Sequence, residues 1–206
     1  FWPEKDQQGA RANLRRTLYD LGQLLDAQLL AITPETVMLS PTALLWLDVE
    51  RFQQALADLL PTTLLTAGVP ADALPALVAA ADYYSDDFLA GFTLPDAPGF
   101  DDWQFFQREA LRGVFARLLQ QVIATYVAQA KFDEAVRYAR RWLLLDPLEE
   151  AVHRQLMQLY AQAGQQAAAV RQYDECVRIL AAELDVPPEA ETTALYEAIR
   201  MRRFPV

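Results

Sequence analysis

Hydrophobic positions change their spacing twice along this chain of 206 residues. Between Gln7 and Asp26, Leu14, Leu18, Leu21 and Leu25 recur at steps of 4, 3 and 4, which predicts a helix with one buried stripe. Pro3 is favourable just before or at the start of such a helix. Next come the short apolar runs Leu29–Thr33 and Thr36–Leu39, divided by the turn pair Pro34-Glu35. This pattern predicts an antiparallel ribbon, with Leu44–Leu47 as a third short run. From Asp48 onward the pattern is helical throughout.

In this second part, Asp48 is a natural cap for a helix through Phe52, Ala55, Leu56 and Leu59 that stops at Pro61. Residues 72–84 predict a short Ala-rich helix, and Ser85–Phe100 reads as a loop. Asp101-Asp102 is expected to cap a helix of about 28 residues, roughly 42 Å long. Its apolar residues, Trp103 and Phe106 among them, cover more than one face and predict packing on two sides. A shift of 34 residues then superposes Tyr126 on Tyr160, Ala130 on Gly164, Ala135 on Ala169, and Leu118-Leu119 on Val152-His153. That is the period of the helix-turn-helix tetratricopeptide repeat, with Phe132 and Pro147 as a further aromatic and a helix terminator. Residues 191–203 predict a last helix ending in Arg200, Arg202 and Arg203.

Charge separates the two parts. Residues 1–47 hold four basic and five acidic groups, whereas the remaining residues hold fourteen against twenty-three, a net of −9. The acidic part is a poor coat for nucleic acid. No apolar run approaches a membrane span, and Cys176, the single cysteine, rules out an intrachain disulfide and fits a cytoplasmic location. Catalysis is not expected, nor a cofactor or a metal. The glycines are scattered, His153 falls inside a helix, and Cys176 reads as a small core residue. The acidic pairs Asp86-Asp87, Asp101-Asp102 and Glu149-Glu150 sit where helix caps and dipole partners belong.

The first helix is the candidate site. Opposite its leucine stripe lie Ala12, Arg16, Tyr19 and Gln23, flanked by Arg15 on one side and by Asn13 and Asp20 on the other. On periodicity alone this is a solvated surface. It is also what a helix in a DNA major groove requires, since Arg forks onto guanine, Asn onto adenine, and a small Ala permits close approach. Arg11, Asn13, Arg15, Arg16 and Tyr19 are the candidate DNA-binding residues. A helix followed by a ribbon is the order of the back half of a winged helix, although an acidic tip at Pro34-Glu35 is poor chemistry for a phosphate.

Three stretches resemble one family. Phe1–Glu4 with Ala10–Leu18 resembles the recognition-helix region of the SARP-type bacterial transcriptional activators. Tyr84–Gly91 with Asp102-Trp103 is similar to the loop and long-helix start of their activator domain, and Leu145–Met157 to the segment joining its tetratricopeptide-like repeats. The resemblance implies a mainly α protein. Residues 1–47 would be the recognition helix and β-ribbon wing of an OmpR-type winged helix, truncated because its leading strands and first helices do not precede them. Residues 48–206 would be a tetratricopeptide-like helical activator domain. A chain beginning at Phe1 rather than Met suggests a fragment or processed product. The implied function is transcription regulation, with promoter DNA, RNA polymerase and a further copy of the chain as partners to expect. The alternative is a tetratricopeptide-like scaffold for a protein or peptide with a degenerate DNA-binding head, favoured by Asp20 and the acidic wing tip.

Overall fold

The computed structural model describes residues 2, 4–25, 29–33, 35–59 and 71–203. It divides into two compact units, one of residues 1–47 with 94–100 and one of residues 48–93 with 101–206. The first unit opens with α1 (Gln7–Leu24), capped by Asp6, whose carboxylate accepts from Gly9 N at 2.8 Å. Strands β1 (Leu30–Ile32) and β2 (Val37–Leu39) pair antiparallel with Ala31 opposite Met38. The ribbon closes through Thr33 and Thr36, where Thr33 N donates to Thr36 O and Thr36 N to Thr33 Oγ1. Glu35 is exposed there, while Pro34 lies outside the described residues. Leu44–Leu47 forms no strand.

The leucine stripe of α1 is not buried as the spacing predicts. Leu14, Leu21 and Leu25 remain 39%, 36% and 42% exposed, Leu18 is half-buried, and no residue of α1 is buried. Two three-residue strands offer too little apolar surface to cover such a stripe, and no other described element of this unit supplies it.

The second unit is all helical: α2 (Asp48–Leu59), α3 (Leu74–Asp82), most of α4 (Pro98–Ala128), α5 (Phe132–Leu145), α6 (Glu150–Gln162), α7 (Gln166–Glu183) and α8 (Ala190–Arg200). Pro61 lies outside the described residues. Asp101 and Asp102 do not cap α4. The helix begins at Pro98, whose fixed φ and missing N–H suit a first helical position. Asp101 instead sits in its first turn, beside the positive end of the dipole. Trp103 and Phe106 are 46% and 67% exposed, so the expected two-sided packing is confined to the later turns. There Leu111, Phe115, Leu118, Leu119, Val122 and Ile123 are all buried. Phe115 stacks on Tyr84 at 4.2 Å between centroids, and Phe52 meets both rings edge-on.

The repeat holds in both its helix ends and its hydrogen bonds. Helices α4 and α6 end 34 residues apart, and α5 and α7 start 34 residues apart. Each turn places one residue in the left-handed region, Ala130 at φ 54° and Gly164 at φ 73°. Lys131 N donates to Tyr126 O at 2.9 Å, and Gln165 N to Tyr160 O at 2.7 Å, so both helices end with the same bond. Ala135 and Ala169 are fully buried, as are Leu118 and Leu119 and, within 1%, Val152 and His153. Tyr160 is buried, whereas Tyr126 is half-buried and stacks on Tyr138.

Two measurements check this register. A left-handed φ strains any residue with a Cβ, and a Cβ at Gly164 would meet nothing within 4 Å, so only the backbone is at issue. Gly164→Ala should lose about 1 kcal/mol, and Ala130→Gly should gain up to about 1 kcal/mol after the entropic cost of glycine. Equal shifts of the same sign in chemical denaturation would contradict the equivalence of the turns. Ala135→Phe should overpack the helix contact and cost roughly 1–3 kcal/mol; an unchanged melting temperature would refute the contact.

Candidate nucleic-acid interface

The predicted site residues all lie on α1. Arg11, Arg15 and Arg16 are exposed, Tyr19 is 68% exposed, and Asn13 is half-buried. At 100° per residue, Arg15, Tyr19, Ala12 and Arg16 fall within one arc, with Gln8 and Gln23 between them. Arg11 lies nearer the leucine stripe, and Asn13 and Asp20 beyond Arg16 on the far side. None of the three arginines forms an ion pair or a hydrogen bond among the described residues. Two features thus weaken the predicted reading face. Asn13 is less available than the arginines, and Asp20 is exposed beside it.

Three arginines of the helical unit are engaged differently. Arg112 forms a two-pronged pair with Asp87, donating through Nε at 2.7 Å and through a shorter Nη2 contact. Arg154 donates to Glu189 at 2.6 Å and to the Thr192 hydroxyl at 2.9 Å. Arg141 donates to the carbonyls of Ala81 and Tyr84 and lies 5.0 Å from the centre of the Phe115 ring. It thereby fastens α5 to the carbonyl end of α3, where a cation also opposes the helix dipole. Sequence reasoning passed over these anchors, because their partners stand tens of residues away. The nearest hint was an Arg-Arg pair inside an otherwise amphipathic helix.

Among the other sites named in the sequence, His153 is buried with both ring nitrogens bonded. Nε2 lies 2.9 Å from Pro147 O, and Nδ1 2.8 Å from Gln172 Nε2, so the ring is held by two bonds. Cys176 is buried, and burial pushes its thiol up to about 11, away from the reactive thiolate. Glu149 accepts from Ala151 N at the start of α6. The Glu150 carboxylate accepts from Glu189 N and from the Thr192 hydroxyl at 2.7 Å, so it closes the N-terminus of α8. Among the described residues no cluster of His, Cys, Asp or Glu is placed to hold a metal ion. No helix among them is long and apolar enough to cross a membrane.

The family model described as bacterial transcriptional activator domain matches residues 47–200. Among solved structures, Mycobacterium tuberculosis EmbR in complex with low affinity phosphopeptide is similar at 21% identity and a TM-score of 0.52. The match covers 100% of this chain and 53% of that one, so the chain spans about half the length of its relative, and the likeness is one of fold. The Yersinia enterocolitica type III secretion translocator chaperone SycD is less similar, at 16% identity and a TM-score of 0.35 over 68% of this chain and 97% of that one. No curated protein matches the chain.

The Asp87 pair generates a pH prediction. The Arg112 guanidinium beside Asp87 holds its carboxyl below the usual carboxylate range, and burial pushes the neighbouring Tyr84 hydroxyl up to about 12. A carboxyl with a lowered folded pKa contributes stability in full above its unfolded value of about 4, and loses it as the pH falls through the folded one. Asp87→Asn should cost about 1–3 kcal/mol at neutral pH and flatten the acid limb of the stability profile. An Asp87→Asn protein with the parent's acid midpoint would show that the pair is not stabilising.

Proposed function

The chain belongs to the bacterial transcriptional activator domain family, and from that premise we propose that it is a DNA-binding transcriptional regulator acting in the cytoplasm. In this reading α1 is the recognition helix of a winged helix, and the β1–β2 ribbon is its wing. The helical unit is the protein-facing part, with RNA polymerase or a second copy of the chain as its partner. No catalysis is assigned to it. The observation that carries the reading is the state of the three arginines on α1, in the part of the chain that is near neutral. Arg11, Arg15 and Arg16 are exposed and form no ion pair or hydrogen bond among the described residues, whereas Arg112, Arg141 and Arg154 are committed to contacts inside the helical unit. Unpaired arginines on a helix meet the electrostatic requirement for groove entry, because each contact to a phosphate releases condensed counterions.

The uncovered leucines of α1 support a head completed by elements outside this sequence. A recognition helix must be held by its apolar side if its polar side is to enter a groove. A second reading keeps the helical unit as a scaffold for proteins or peptides and gives α1 no reader's role. Asp20, exposed on the same helix as the arginines, favours it.

One experiment separates the two. A protein carrying its full head is selected against a pool of random duplexes, and binding to the selected and a random duplex is then measured. Arg16→Ala should cost about 1–3 kcal/mol on the selected duplex and relax its specificity. Arg11→Ala should weaken both duplexes alike and flatten the salt dependence by about one ion. If Arg16→Ala binds both as the parent does, α1 is not the reader and the scaffold reading stands.

A further inference from the structure

Helices α3 and α5, each the second of its pair, leave a groove of about 300 Å³ lined by Val78, Asp82, Arg137, Tyr138 and Arg141. Arg137 and Arg141 stand four residues apart on α5 and therefore on one face. Arg141 is held by the backbone carbonyls of Ala81 and Tyr84 rather than by a carboxylate. Its one acidic neighbour, Asp82, is 3.5 Å from Nη1 and its side chain is 69% exposed. Arg137 is exposed and forms no salt bridge among the described residues. Its guanidinium lies 4.9 Å from the centre of the Tyr138 ring and donates to the Tyr138 hydroxyl at 3.1 Å. Tyr138 itself is buried, and its hydroxyl accepts from Arg137 and stands by the Tyr126 hydroxyl, so it is held in place at the wall.

Two arginines thus face one carboxylate, in a part of the chain that otherwise carries an excess of acid. We infer that this groove is a binding site for a single carboxylate group. Arg137 donates to it, Arg141 supplies a fixed positive charge, and Val78 supplies the apolar wall. The volume is at the small end of ligand sites and suits one acidic side chain or a small free acid. A run of phosphates is disfavoured, because beyond the two arginines it meets the net −9 of residues 48–206. The site involves no residue of α1 and stands or falls independently of DNA reading.

The test uses the whole chain and observes the arginine Nε–H resonances by NMR. The probes are succinate, the capped tripeptide acetyl-Leu-Asp-Leu-amide, and its neutral counterpart acetyl-Leu-Asn-Leu-amide. Saturable shifts of Arg137 with the Asp peptide alone would place the carboxylate on a polypeptide. Saturable shifts with succinate as well would place it on a free acid too, and both results support the site. Arg137→Gln should weaken binding about tenfold, the loss of one charge-assisted hydrogen bond. Its melting temperature should match the parent's, because the side chain is exposed. Arg137→Lys should restore part of the affinity. The inference is overturned if neither acid shifts Arg137, if the Asn peptide binds as well as the Asp peptide, if a random DNA duplex shifts Arg137 in place of the acids, or if Arg137→Gln binds as the parent does.

Discussion

A helix pair with one apolar face cannot bury that face alone, and the helical unit follows from this constraint. Each pair must lie against the next, so the geometry of one must suit its neighbour. The chain meets the requirement by ending α4 and α6 with the same turn, a left-handed residue followed by a bond back to a tyrosine carbonyl. With both turns alike, Ala135 and Ala169 arrive at equivalent contacts, where the absence of a larger side chain lets the helices approach. The turn accepts a strained alanine at 130 where the second copy has a glycine, since stacking a pair recovers far more than one strained φ costs.

Once the pairs are stacked, their buried polar groups need partners, and the unit supplies them with charged side chains reaching between distant helices. Arg141 bonds the carbonyls of Ala81 and Tyr84 at the end of α3, Glu150 the open N–H at the start of α8, and Arg154 the Thr192 hydroxyl that Glu150 also engages. A charge left alone in such a place would be costly, while one fully bonded fixes a helix in position. Part of the cationic charge of an acidic unit is thereby committed to structure. Among the described residues the arginines of α1 have no such partner, and Arg137 has the neutral hydroxyl and the ring of Tyr138.

The mainly helical class, the ribbon after the first helix and the 34-residue period could all be read from the sequence. Each is a matter of local spacing: period 3.6 in α1, β-branched runs around Pro34-Glu35, and Tyr126 and Ala135 recurring at Tyr160 and Ala169. The start of α4 was misread because an Asp pair resembles a cap, while Pro98 three residues earlier suits a first helical position better. The candidate residues on α1 were legible as a face. Whether they were free was not legible, since pairing depends on what folds nearby.

By itself, then, the sequence determined the elements, their periodicity and the separation of charge between residues 1–47 and the rest. Those properties reside in residues a few positions apart, where the helix and strand periods act directly. Tertiary structure alone decided which apolar stripes are covered, which carboxylates are caps and which arginines remain unpaired. Both α1 and α5 carry apolar residues along one side. One is exposed and the other buried because burial is a property of the surface brought against a helix, and that surface comes from residues tens of positions away.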